Sequence, residues 1–412
     1  MTRCTDCTIL FHVFRPRPET AMKKHLGWLT RMLIALLGIG YILYTLNWSD
    51  RIFLPAGYVT DSGLVGADEW FRVIDETRDR YTVRRNGPSR SGPYDVGDVP
   101  KSQVGPGEGQ LRFEPSFFTI LRQSNKPQLV YGGLLLLPVV LLTTLRWWVL
   151  MRARGIEIGL AAVGRLTLAG YFFNLCMPGT TGGDLMKAYY AARGTDRRAD
   201  AVVSIGIDRL CGLIGLVLLV GVIGLFSLDH PLIRKLTMLM WLGLVAVLAG
   251  AFLYTSPAVR RGLRLGETLG KLPGSGALRK IDGWISAYRH HKAALVLAIA
   301  ISVSIHVCVA GAMSLAGFAL GVDQSAVVLL SVIPIVMVLW SLPVSGPLGL
   351  GPMDFVAVQL VTAGSASSDQ QALMMFVAFR LYLVAVGLLG SFALMGLGAK
   401  KVPGELQDTP LG

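Results

Sequence analysis

The sequence predicts an all-α, multi-pass membrane protein of about six transmembrane helices plus two oppositely oriented re-entrant, broken-helix hairpins that form an inverted repeat. Composition is the first reason: 52% hydrophobic and only 16% charged residues in 412, with a mean hydropathy of +0.54, leave too little polar surface to cover a soluble globule. The second is a set of apolar runs of spanning length. The third is a pair of Pro/Gly-rich motifs that interrupt apolar sequence, Asn174-Leu-Cys-Met-Pro178-Gly-Thr-Thr-Gly182-Gly183-Asp184 and Ser341-Leu-Pro343-Val-Ser-Gly346-Pro-Leu-Gly349-Leu-Gly351-Pro-Met-Asp354. Each aspartate is followed, 25 and 26 residues later, by an arginine inside an apolar run, Arg209 and Arg380. Paired breaks in corresponding halves point to the substrate site of a transporter built from repeats.

Residues 1–27 read as a cytoplasmic segment, and Met22 is a natural start, so the stretch before it reads as an extension. Cys4 and Cys7 with His12 fall short of the four ligands of a structural zinc site. A first anchor spans 28–46; no small-residue cleavage site follows it, which argues against a signal peptide. Residues 47–128 form an extracytoplasmic loop that balances eleven basic against eleven acidic residues. Its alternating start, Arg51-Ile-Phe-Leu and Trp70-Phe-Arg-Val-Ile, suggests a small β element. Arg85 to Gln110 reads as a flexible Gly/Pro/Ser connector, and Glu114-Pro-Ser-Phe-Phe as the start of a short interfacial helix.

The transmembrane domain occupies 129–397, with halves around 158–228 and 326–397. Further spans are expected at Leu129 to Leu150, Ala201 to Leu228, Leu236 to Thr255, Ala293 to Gly321 and Ala372 to Leu397. Orientation follows from Lys and Arg, which keep short loops in the cytoplasm. The stretch with Arg146, Arg152 and Arg154, the four basic residues of Lys187 to Arg198, the basic link 256–292 and the tail 398–412 are placed inside. Gly321 to Ser325 and Thr362 to Gln371 hold no Lys or Arg and are placed outside. Ile158 to Tyr190 must then enter and leave from the cytoplasmic face, and the second motif from the opposite one. Both termini are cytoplasmic, and the membrane is the cytoplasmic (inner) one.

A broken helix exposes backbone groups that only protein or a water-filled cavity can satisfy. The amides of a helix resuming after Gly182 and Gly183 suit a phosphate, unless Asp184 and Asp354 simply cap their helices. Asp208 and Arg209 sit roughly 10 Å inside their span, where charge is costly. Arg209 and Arg380 read either as poles of an anion path or, for Arg209, as half of a structural ion pair with Asp184 or Asp208. Lys187 and Arg193 suit headgroup anchors, and His306 a packed histidine. The expected substrate-binding set is Asn174, Pro178, Gly182, Gly183, Asp184, Lys187, Asp208, Arg209, Pro343, Gly346, Gly349, Gly351, Asp354 and Arg380, with no catalytic residue, metal or cofactor.

These residues resemble the lysylphosphatidylglycerol synthase transmembrane-region, or flippase-like, family. The likeness rests on Asn174, Pro178, Gly182-Gly183-Asp184, the continuation Lys187-Ala-Tyr-Tyr-Ala-Ala-Arg193, Ile207-Asp208-Arg209-Leu210-Cys-Gly212 and the later turn, and covers Leu129 to Leu397. Where that family commonly ends its second turn in glutamate, this chain has Asp354, with Pro352 two residues before it. The resemblance implies translocation of a phospholipid or polyprenyl-linked lipid. The formal charge of +13 falls in short loops beside spans, which fits membrane orientation and not nucleic acid, and the basic link suits anionic headgroups. Bifunctional members add an aminoacyl-transferring domain after the membrane part, for which the residues up to Gly412 leave no room. A membrane-embedded transferase on a lipid carrier would need an Asp-x-Asp or histidine cluster, which the sequence lacks. A scaffold subunit for envelope assembly is the remaining alternative. Gly266-Glu-Thr-Leu-Gly270-Lys271-Leu has the wrong spacing for a phosphate loop.

Overall fold

The computed structural model describes residues 46–60, 63–65, 68–85, 96–105, 111–176, 182–227, 237–245, 290–341 and 352–398, with a few isolated positions besides. The expected anchor over 28–46, most of the span from Leu236 to Thr255, most of the link 256–292 and the tail lie outside these residues, as do Pro178, Pro343, Gly346, Gly349 and Gly351.

The chain first builds a sheet. Strands β1 (Arg51–Leu54), β4 (Glu69–Glu76), β5 (Arg80–Arg85), β6 (Val96–Pro100) and β7 (Phe113–Glu114) form five antiparallel strands in the order β6-β5-β4-β1-β7, while β2 (Val59–Thr60) and β3 (Gly63–Leu64) pair separately. Alternation puts Ile52, Leu54, Val83 and Val99 into one core. A sheet thus lies where the small β element was expected, and part of the stretch read as a connector, Val96–Pro100, is one of its strands. Val96–Pro100 has poor strand composition, but Val99 stands opposite Tyr81 and is fully buried, so packing overrides propensity.

The bundle follows: α1 (Phe117–Gln123), α2 (Lys126–Leu134), α3 (Leu136–Ala153), α4 (Leu160–Cys176), α5 (Gly182–Arg193), α6 (Arg198–Gly224), α7 (Lys292–Ala319), α8 (Ala326–Ser341), α9 (Pro352–Thr362) and α10 (Asp369–Gly398). Ser116 caps α1 and Asn125 caps α2, each side chain accepting a first-turn N–H. Pro138 cannot donate, and the helical ladder breaks just before it at Leu135. Among the described residues four stretches are long and apolar enough to cross a membrane: Lys126–Ala153, Arg198–Gly224, Lys292–Ala319 and Asp369–Ala393.

Two short-helix pairs pack between them. The feet of α4 and α5 meet at one end of the bundle, where the Arg197 guanidinium donates to the Arg154 carbonyl at 2.9 Å and Gly194 lies beside Ile158. The feet of α8 and α9 meet at the other end, where the Gln324 amide donates to the Val361 and Ala363 carbonyls at 3.0 and 3.1 Å. That second end also carries the sheet, because the Asn47 N–H donates to Gln370 Oε1 at 3.1 Å and the Asn125 N–H to the Ala319 carbonyl at 2.9 Å. The order long helix, short helix, short helix, long helix thus occurs twice, as α3–α6 and as α7–α10, with opposite sense.

Each short-helix pair leans on the other half. α4 packs along α10, and α8 along α6. At the first crossing a Cβ on Gly390 would collide with the Leu168 carbonyl oxygen, so the backbones touch as only glycine allows. Where α6 crosses α7, a Cβ on Gly215 would come within 2.5 Å of the Ser302 Cβ. The apolar core of the bundle gathers Leu329, Ile333, Met313 and Phe376, all fully buried.

Replacing Gly390 by valine should lower stability in detergent by about 1–3 kcal/mol, the usual cost of overpacking. Gly159→Ala, with open space around it, should be neutral. Thermal unfolding of purified variants measures both, and an unchanged Gly390→Val melting curve would refute the crossing.

Candidate functional site

Asp184 is the third residue of α5, and Asp354 the third residue of α9. Arg209 is the twelfth residue of α6, and Arg380 the twelfth of α10. Asp184 pairs with Arg209, and Asp354 with Arg380. Matching positions of the two halves are therefore joined by the same bond, approached from opposite ends of the bundle. Eleven residues at the helical rise place each guanidinium about 16 Å into its helix, near mid-height.

Both aspartates lie in the first turn of their helices. There each favours the helix dipole while reaching outward to its arginine. Gly182 and Gly183 are buried at the start of α5. The Gly183 N–H donates to Asn174 Oδ1 at 2.7 Å, so Asn174 satisfies an amide that the broken helix leaves without a partner. A Cβ on Gly183 would run into the Gly170 carbonyl oxygen, which makes this the point of closest approach between α4 and α5.

The two repeat-related pairs differ in access. The side chains of Arg209 and Asp184 are 52% and 21% exposed, whereas those of Arg380 and Asp354 are 7% and 1% exposed. The first pair is the more exposed, and its counterpart is buried.

A third pair has no counterpart among the described residues of the second half. Arg146 of α3 grips Asp208 through two bonds of 2.7 and 3.0 Å and donates a third, of 2.8 Å, to the Ser302 hydroxyl on α7. All three residues are buried. This corrects the placement of Arg146 among loop cations. It lies inside an apolar run, as Arg209 does, and that signal would have found it. Ser302 carried no signal. The residue one before Arg380, in the place of Asp208, is Phe379.

The Lys187 side chain packs on the protein. Its chain lies on Gly170, and its ammonium sits 5.3 Å from the centre of the Trp147 ring. Arg193 stays local, stacking on Tyr189 and donating to its hydroxyl at 2.8 Å. His306 Nε2 bonds the Gly212 carbonyl at 3.0 Å and packs between α7 and α6. Among the described residues no group of His, Cys, Asp and Glu has the makings of a metal site.

Residues 116–390 match the family described as "Lysylphosphatidylglycerol synthase TM region". No curated protein and no solved structure matches the chain.

Breaking the buried pair with Asp208→Asn should cost about 3–5 kcal/mol, because it leaves Arg146 charged and unpaired. Joint replacement, Arg146→Met with Asp208→Leu, should recover most of that loss. Detergent unfolding curves for the single and joint variants check this; equal loss in both would sink it.

Proposed function

Since the chain belongs to the lysylphosphatidylglycerol synthase TM region family, a family of multi-pass proteins associated with membrane lipids, we propose that it is a lipid translocator. It moves a phospholipid or polyprenyl-linked lipid across the cytoplasmic membrane. One observation carries this reading: two Asp–Arg pairs at equivalent helix positions near mid-height, reached from opposite ends, one the more exposed and the other buried.

The chemistry follows from what an arginine in low dielectric requires. It must keep a counter-anion, because an unpaired buried charge is very costly. A phosphodiester presents two oxygens to the guanidinium fork and can take the place of the aspartate. At the open pair, the headgroup phosphate displaces Asp184 from Arg209. The charge count at the arginine is unchanged by the exchange, and the carboxylate returns as the phosphate leaves. Arg380 and Asp354 repeat the exchange from the other leaflet. Alternating access is the rocking of two hairpins that dip into the bilayer from opposite faces, so that the pair now sealed becomes the open one.

Lys187, held against Trp147 beside α4 and α5, adds positive potential along the first half of the path. Arg146 and Asp208 form a neutral strut that keeps α3, α6 and α7 together while the hairpins shift. The bundle end with Arg152, Arg154, Arg193, Arg197 and Arg198 faces the cytoplasm, and the sheet lies outside.

A headgroup-resolved translocation assay in proteoliposomes tests the proposal. Arg209→Gln and Arg380→Gln should each reduce transport at least about tenfold, the cost of one charge-assisted bond to phosphate. Arg209→Lys should retain an intermediate rate, having the charge without the fork. Full transport in both glutamine variants, or no transport of any phospholipid or polyprenyl phosphate by the intact protein, would overturn it.

A further inference from the structure

Where α3, α5 and α6 meet, the charges of Asp208, Asp184, Arg209 and Arg146 all bear on the Lys187 ammonium. Those four are already matched, Arg146 with Asp208 and Arg209 with Asp184, so they sum to zero. Lys187 is the charge left over. Among the described residues its ammonium has neither a hydrogen bond nor an ion pair, and what it meets is the ring of Trp147, itself fully buried. A Cβ on Gly170 would come within 2.8 Å of the Lys187 Cε, so α4 closes another side of the lysine chain. A cation–π contact offsets only part of what an ammonium loses away from water. At rest the site therefore holds one positive charge that none of its own carboxylates answers.

The second half has no such charge at the matching place. Lys187 stands three residues after Asp184, and the residue three after Asp354 is Ala357, fully buried. A spacing of three puts two side chains on one face of a helix, within reach of each other. Lys187 is thus the cation that can receive the Asp184 carboxylate when a phosphate takes its place on Arg209. Arg209, Lys187 and Asp184 together carry one net positive charge. A headgroup that is a net anion brings the loaded site to neutrality, with Arg209 on the phosphate and Lys187 on Asp184. A zwitterionic headgroup leaves the positive charge unanswered, and a cationic one adds to it. Away from water such a difference in charge is large enough to sort lipids.

We propose that Lys187 selects the lipid by headgroup charge, so that the site of the first half takes net-anionic lipids, such as phosphatidylglycerol or a polyprenyl phosphate, over zwitterionic and aminoacylated ones. The selection rests on the exchange at Arg209 proposed above and adds to it the class of lipid exchanged. In the second half a displaced Asp354 finds no lysine on its own helix face, so it competes harder for Arg380 and favours release.

Native mass spectrometry of the full chain in detergent, equilibrated with an equimolar mixture of phosphatidylglycerol and phosphatidylethanolamine, reads the selection without transport. Phosphatidylglycerol should be retained at least about tenfold over phosphatidylethanolamine, the worth of one charge-assisted bond. Lysylphosphatidylglycerol should be retained least. Lys187→Met, which keeps the length of the side chain against Trp147 and Gly170, should erase the preference. Arg193→Met, which removes an equal charge outside the site, should keep it. The ratio is read on folded protein alone, so a lower yield of either variant does not blur it. Equal retention of the two lipids by the intact chain, or an undiminished preference in Lys187→Met, overturns the proposal. So does displacement of phosphatidylglycerol by millimolar inorganic phosphate, which would make this a site for a soluble anion. The translocation assay separates the two readings. Equal transport of both lipids removes the selection and leaves translocation standing, whereas a preference that Lys187→Met erases, with no transport of any lipid, removes translocation and leaves anionic lipid bound at Lys187.

Discussion

A guanidinium held at mid-height in an apolar bundle cannot shed its charge, so it must keep an anion within reach of its fork. Much of the architecture follows from that constraint. Arg209 and Arg380 each sit on a long helix, and each short-helix pair delivers an aspartate to that helix near its own turn. The hairpins are thereby docked at their tips as well as at their feet. The glycines at Gly183 and Gly390 then allow the short helices to lie close enough for the aspartates to arrive.

The members of these pairs are legible in the sequence because charge within apolar sequence is expensive and the spacing recurs in both halves. Who pairs with whom is not. Asp184 and Asp208 compete equally for Arg209 on paper, and helix geometry decides. Neighbouring residues on a helix point to different faces, so Asp208 and Arg209 look toward different partners: Arg146 on α3 and Asp184 on α5. Ser302 was invisible because a serine in an apolar helix most often bonds its own backbone. Ser302 does that too, donating to the Ala298 carbonyl while accepting from Arg146. The sheet was legible as strand alternation at Arg51 and Trp70. The strand at Val96–Pro100 was not, since its pairing depends on β5 and not on its own composition.

The halves have the same plan but not the same chemistry. Where the first has the buried Arg146–Asp208–Ser302 junction, the second has Phe379 within the apolar core. A hydrogen-bonded charge cluster tolerates little change in geometry, whereas an apolar contact can slide. Through Ser302 the junction also ties the long helices of the first half to α7 of the second.

The hydrogen bonds that clasp the feet of each hairpin give it a pivot, and the Asp–Arg pair holds the tip. Gln324, just before α8, bonds the end of α9, and at the foot of the other pair Arg197, just before α6, bonds the Arg154 carbonyl just after α3. An arm of 17 residues, the length of α4, is about 25 Å long at the helical rise. A tilt of about 5° about such a pivot displaces the tip by about 2 Å, enough to part a carboxylate from a guanidinium while the foot scarcely stirs.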